Sequence, residues 1–371
     1  MKKTLITAAL LAGIGATASA AQVSVYGLID MGLSFSRQGG DNGDHNIDVS
    51  MKSGMRNSSR FGFKGSEDLG DGYKIGFILE SQFLADDGSL QTSGRLWERE
   101  SSLWLSGPFG KVTAGRVGYL KGVVGSTALL NSYRVNPFGS QMSNFVTGYK
   151  AYTTGTTWSC NNGIVYETPT FAHTTVYLQY SNAVEDEGEH YNDQDRYFAG
   201  AVRYMNGPLL LQAILDTTDR GSKVSSYPDG QYRDPISFGV QAAYDFGFLK
   251  TYFMVETFKD SALNSVGGYL KGSGLYDGTG GTVVVQWPIG AGKAKIGGGF
   301  MKAESAKHTP DEQENDVTRF GASVGYDYVL SKHTHLYANY GYVQQKTDNS
   351  GEKADVRDNG MELTMGMVHY F

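Results

Sequence analysis

The chain has 371 residues with a formal net charge of −6, 50 glycines, 24 tyrosines, 8 prolines and a single cysteine. The acidic balance argues against a nucleic-acid partner, and the lone cysteine leaves no intrachain disulfide to hold an exported fold. Beyond the N-terminus nothing approaches the roughly 18 apolar residues a membrane helix needs, while abundant glycine and tyrosine with scarce proline suit a β-protein with tight turns and aromatic belts.

In chain order, Met1-Lys2-Lys3 reads as a charged n-region, Leu5–Thr17 as an apolar h-region and Ala18-Ser19-Ala20 as a cleavage site. The expectation is a secretory signal over 1–20 and a single mature domain over 21–371. Losing Lys2 and Lys3 takes the net charge from −6 to −8. Sixteen strands are then predicted, beginning near Val23, Val49, Tyr73, Leu96, Lys111, Gly163, Thr174, Arg196, Leu209, Ile236, Leu249, Thr282, Lys293, Val317, His335 and Gly360. Their period-two alternation is clearest in Ile236–Phe246 and Thr318–Tyr328. In the latter, Phe320, Ala322, Val324, Tyr326 and Tyr328 oppose Arg319, Gly321, Ser323, Gly325 and Asp327.

A soluble sandwich alternates too, but its inner face is the apolar one. Here the apolar face is better placed against lipid, and the Gly, Ser, Gln, Asp and Arg face against a water-filled lumen. Short turns at Gly70-Asp71-Gly72, Gly107–Gly110, Asn206-Gly207-Pro208 and Ala291-Gly292 read as periplasmic. Long polar stretches at Asp186–Asp195, Asp219–Asp234, Ser261–Gly280, Ser305–Asp316 and Thr347–Asn359 read as outer loops. The last strand, Met361–Phe371, alternates to an aromatic end, so Phe371 is read as a closing-strand assembly signal at a membrane interface. The fold class is therefore all-β: a 16-stranded antiparallel transmembrane β-barrel. One connection, about 117–162, is too long for a hairpin loop and carries many apolar residues. It is expected to fold into the lumen as a constriction loop.

Several motifs resemble the general porins of Gram-negative outer membranes. Val25-Tyr26-Gly27-Leu28-Ile29-Asp30 is similar to the family's first strand, and Ser59–Gly70 to its second strand and first turn. Phe109–Arg116 resembles the strand entering the constriction loop, Leu330–Thr334 the turn before the penultimate strand, and Val368–Phe371 the closing strand. The resemblance implies a homotrimer in outer-membrane lipid and lipopolysaccharide. It also implies passive diffusion of ions and small hydrophilic solutes, and an infolded third loop facing basic residues. Neither cofactor nor catalytic or metal site is expected.

Arg60 and Arg99 match family constriction arginines. If Phe61 and Phe63 face outward, Arg60 and Lys64 point inward, and the same alternation gives the lumen Asp30, Lys74 and Glu80. Arg116, Lys121 and Arg134 are expected near the loop. Two departures stand out. The basic residue usual after the loop is missing around Trp158-Ser159-Cys160, a place Arg134 could fill, and no Asp or Glu occurs between Glu100 and Glu167. Charge of one sign at a constriction focuses the field between low-dielectric walls, so an anion preference is expected. The rival reading is a substrate-specific channel for a sugar or organic acid that uses the loop aromatics Tyr119, Tyr133, Phe138, Phe145, Tyr149, Tyr152 and Trp158.

Overall fold

The computed structural model describes residues 22–130, 136–138, 145–146, 148–155, 158–184, 190–221, 233–272, 274–306, 315–350 and 354–371. The expected signal segment and Arg134 lie outside the described residues. The strands are β1 (Gln22–Gly40), β2 (Ile47–Ser53), β3 (Arg60–Gly70), β4 (Tyr73–Gln82), β5 (Glu100–Gly107), β6 (Gly110–Gly118), β7 (Ser159–Glu167), β8 (Thr174–Ser181) and β9 (Arg196–Asn206). They continue as β10 (Leu209–Asp219), β11 (Ile236–Asp245), β12 (Lys250–Ser261), β13 (Tyr276–Ile289), β14 (Gly292–Ser305), β15 (Asn315–Val329), β16 (Thr334–Asn349) and β17 (Val356–Tyr370).

β2 pairs with β1 through Met31–Arg37 and β3 pairs with it through Gln22–Leu28, so the two are halves of one stave. The seventeen described strands thus make a closed antiparallel barrel of sixteen staves. β17 returns to β1 from Leu28↔Tyr370 to Gly40↔Asp358. Closure pairs the backbone groups that lipid could not satisfy. At the seam Phe371 and Gly27 exchange backbone hydrogen bonds of 3.1 Å each. The Phe371 ring lies over Gly27, where any Cβ would collide with it.

Alternation sorts the two faces. Ile236, Phe238, Phe300, Phe320 and Val324 are exposed on the outside, whereas Ser237, Gln241, Arg319, Ser323 and Asp327 are buried on the inside. Short connections such as Asp71-Gly72, both at positive φ (51° and 82°), leave one end of the barrel trim. Several predicted boundaries move, among them the strand expected from Gly163, which begins at Ser159. The strand expected from Leu96 begins at Glu100, and the one expected from Thr282 begins at Tyr276. The latter shift places Gly278 and Gly280, read as loop, inside β13. Gly280 is there because the Tyr152 carbonyl packs where its Cβ would be, a close backbone approach that glycine alone permits. The last loop is also shorter than expected, since β16 and β17 run on to Asn349 and from Val356.

The stave β2–β3 breaks inward over residues 54–59, and Asp30 on β1 satisfies the break. Its carboxylate accepts the Arg56 and Asn57 amides at 2.8 and 2.5 Å and the Tyr337 hydroxyl at 2.7 Å. The Gly54 amide donates to the Asp30 carbonyl at 2.8 Å.

Candidate pore constriction

The connection from β6 to β7 occupies 119–158, and its described residues fold against the inner wall. Its apolar side chains decide which wall. Tyr119, Leu120, Leu129, Leu130 and Phe138 pack with Tyr177, Tyr197, Ile214, Tyr252 and Met254 of β8 to β12. Farther along, Phe145, Ala151 and Tyr152 pack with Phe258, Met301, Val317 and Val343 of β12 to β16. Wall glycines make room: Cβ atoms on Gly299 and Gly321 would strike Tyr152, and on Gly341 and Gly360 would strike Phe145.

Polar bolts hold the loop in register. Lys121 is buried and donates to Ser237 Oγ at 2.7 Å, with Glu256 at 3.1 Å and Asp216 at 3.9 Å. Glu256 also accepts the Thr154 amide at 2.9 Å, tying both ends of the loop to one carboxylate. Glu100 accepts the Ser126 amide and hydroxyl at 2.6 and 2.7 Å. Lys295 reaches the Pro137 carbonyl at 3.1 Å, and Glu362 accepts the Phe145 amide at 3.0 Å. Each pairing lets a polar group enter the interior without losing its partners.

A second segment folds inward that the sequence reading treated as a plain outer loop. The described residues of 262–275 carry Leu263, Val266, Tyr269 and Leu270 onto the Phe145–Tyr152 cluster. Arg319, fully buried on β15, donates to the carbonyls of Ala151 (3.2 Å), Asn264 (2.6 Å) and Leu270 (3.2 Å), clamping both loops together. The apolar spacing Val266, Tyr269, Leu270 was the signal available in the sequence.

The opposite arc, β2 to β5, carries the accessible charge. Glu80 takes Arg99 Nε at 2.6 Å, Arg60 Nε at 3.5 Å and the Tyr26 hydroxyl at 3.0 Å. Two guanidinium groups share the Glu80 carboxylate, and the neighbouring Glu98 and Glu100 are buried. Arg99 is buried and also donates to Gln82 Oε1 at 2.8 Å, while Arg60 keeps a quarter of its side chain exposed. Lys64 is exposed, its Nζ 4.9 Å over the Tyr26 ring. Lys52 is likewise a quarter exposed, 3.4 Å from buried Glu362. In the loop itself, burial pushes the Lys150 ammonium below its usual pKa.

The residues expected at the constriction therefore separate. Arg60, Arg99 and Lys64 share the β3–β5 wall around Glu80. Asp30 is fully buried and braces the break in the stave, so it presents no charge to the lumen. Lys74 lies toward the short-turn end, 3.8 Å from Asp68. Lys121 is neutralised by wall carboxylates. Arg116 does not join the group: β6 turns Val117 inward and Arg116 to the other face, where it donates to the Glu98 carbonyl (2.5 Å) and Asn161 Oδ1 (2.6 Å). Ser159 and Cys160, where the usual basic residue is missing, are buried against the Arg99 and Val117 carbonyls. Among the loop aromatics Tyr119, Phe138, Phe145 and Tyr152 are buried in the wall, which leaves them unable to form a track for a sugar. Tyr133 lies outside the described residues.

A family model described as Gram-negative porin matches residues 7–348. The chain is 31% identical to outer membrane porin protein 32 of Delftia acidovorans over 357 residues, 93% of this chain and 90% of that one. It is similar in fold to an anion-selective porin from Comamonas acidovorans, with a TM-score of 0.70 at 24% identity over 95% of this chain and 100% of that one. A trimer form of OmpT, an outer membrane protein of Vibrio cholerae, gives a TM-score of 0.60 at 18% identity over 95% and 100% of the two chains. With a closed sixteen-stave barrel, an apolar outer face and a loop folded across its lumen, the chain belongs to the Gram-negative porin family, channels of the outer membrane rather than enzymes.

Proposed function

We propose that this porin passes ions and small hydrophilic solutes by passive diffusion and prefers anions. One observation carries the preference: Lys52 and Arg60 keep part of their side chains accessible, while the carboxylates paired across the inner wall are buried. Lys52 and Arg60 side chains are each 25% exposed, whereas those of Glu80, Glu256, Asp327 and Glu362 are 11%, 1%, 6% and 0%. A permeating ion meets the accessible groups at short range. The acidic outer loops lie farther off, screened over about 8 Å at physiological salt. The source of the positive field differs from the sequence expectation, because Lys121 is cancelled and the β2–β5 wall supplies the charge. Arg60, Lys64 and Arg99 are the proposed constriction residues.

The working unit is a homotrimer set in outer-membrane lipid and lipopolysaccharide after removal of residues 1–20. The trimer form of the Vibrio cholerae neighbour and the apolar outer face support this reading. Purified protein in a planar bilayer under a KCl gradient should give discrete conductance steps and a reversal potential on the chloride side. A potassium-side potential would overturn the anion preference.

A further inference from the structure

Beneath the root of the infolded loop, toward the short-turn end, β6 to β9 and residues 125–129 enclose a cleft of about 240 Å³. Lys111, Glu167, Tyr177 and Arg203 line it from the wall, Ser126 and Thr127 from the loop. This site is separate from the Arg60–Glu80–Arg99 group.

Its chemistry is two-sided. Arg203 donates to the Tyr177 hydroxyl and to Gln212 Oε1, both at 3.2 Å. Lys111 holds its ammonium 5.1 Å over the Trp104 ring. Lys111 and Glu167 are cross-strand partners, yet no ion pair joins them among the described contacts. Glu167 accepts the Tyr177 hydroxyl at a long 3.5 Å. The loop hydroxyls have already given away their protons, Ser126 to Glu100 at 2.7 Å and Thr127 to the Gly118 carbonyl at 2.6 Å. What they offer the cleft is lone pairs. Two cations thus face one carboxylate and two acceptor oxygens within a single polar cleft.

We propose that this cleft binds a zwitterionic solute of amino-acid size during its passage between the constriction and the periplasm. Lys111 and Arg203 take the carboxylate, Arg203 through its planar donor edge and Lys111 as a point charge. Glu167, Ser126 and Thr127 take the ammonium. A solute carrying one of the two groups meets a mismatched charge on the other side. The inference rests on the reading of the chain as an open channel, and the test separates the two.

The probe is L-glutamine, whose zero net charge keeps the transmembrane voltage from driving it. Titrated into single channels at constant KCl, it should reduce the chloride current saturably. Lys111→Gln and Glu167→Gln, at partly exposed positions, should each raise the half-blocking concentration about tenfold, as expected for loss of one charged hydrogen bond. Lys111→Arg should restore it. Propionate and butylammonium, each with one of the two groups, should block about tenfold less well than glutamine. Equal block by these analogues, or half-blocking concentrations unmoved by both substitutions, would overturn the site. Chloride steps with no block at all would also overturn it while leaving the porin reading intact. No steps from folded wild-type protein would remove the channel on which it rests.

Discussion

The two sides of the lumen use similar residues to opposite ends. On the arc from β7 to β16 the loop covers the wall, and the cations there, Lys121, Lys295 and Arg319, are buried and committed to the loop or to neighbouring side chains. On β2 and β3 Lys52, Arg60 and Lys64 remain within reach of water, and the described loop residues bolt to this arc at Glu100, where β5 begins. A basic residue on an inward strand face is therefore a bolt where the loop covers it and a field source where it does not. The difference lies in desolvation. A covered charge must be paired to be tolerated, whereas an exposed one keeps its hydration and acts on passing ions.

The largest effect should come from breaking a bolt on the covered side. Glu256→Gln leaves the Lys121 ammonium buried without its near carboxylate, at an expected cost of about 3–5 kcal/mol. Thermal unfolding followed by circular dichroism should show a clearly lower midpoint, with unsteady single-channel current below it. An unchanged midpoint would mean that Lys121 does not hold the loop.

Next come the wall glycines beneath the loop. Gly299→Val pushes against the Tyr152 ring and should cost about 1–3 kcal/mol through overpacking, displacing the loop and altering conductance. Gly298→Val, one residue along on the lipid face, should leave conductance as it was. Equal changes from the two would show that the covered side is not read through these contacts.

The smallest energetic effect and the most specific one belong to the bare side. Arg60→Gln with Lys64→Gln removes exposed charge, so stability should stay within about 0.5 kcal/mol per site. The reversal potential should nevertheless move toward potassium. Arg116→Gln, on the other face of its strand, should leave that potential unmoved. If Arg116→Gln shifts it as much as the double variant does, the division of the lumen into two arcs fails.

Much of this was legible in the chain because it depends on spacing of two. Alternation from β10 to β17 assigns inward and outward faces one residue at a time, and the end of β17 pairs with Gly27 through backbone atoms that need no particular side chain. The inward run of the 119–158 connection was also readable, since Tyr119, Leu120, Leu129 and Phe138 require cover that an outer loop in water does not provide. Arg60 and Lys64 followed from the same counting.

What alternation leaves open is who meets whom across the lumen. Asp30, Lys121 and Arg60 are all charged residues expected at the constriction, yet one braces a broken stave, one fastens a loop and one stays partly exposed beside Glu80. Their partners stand far away in sequence: Tyr337 for Asp30, Glu256 for Lys121. The inward break at 54–59, the second infolded segment at 262–275 and the outward turn of Arg116 share this origin. Strand identity and facing are local properties of a two-residue repeat, so the sequence by itself determined the barrel. Desolvation and pairing depend on residues brought together by closure, so only the tertiary structure decided which of its charges the pore can feel.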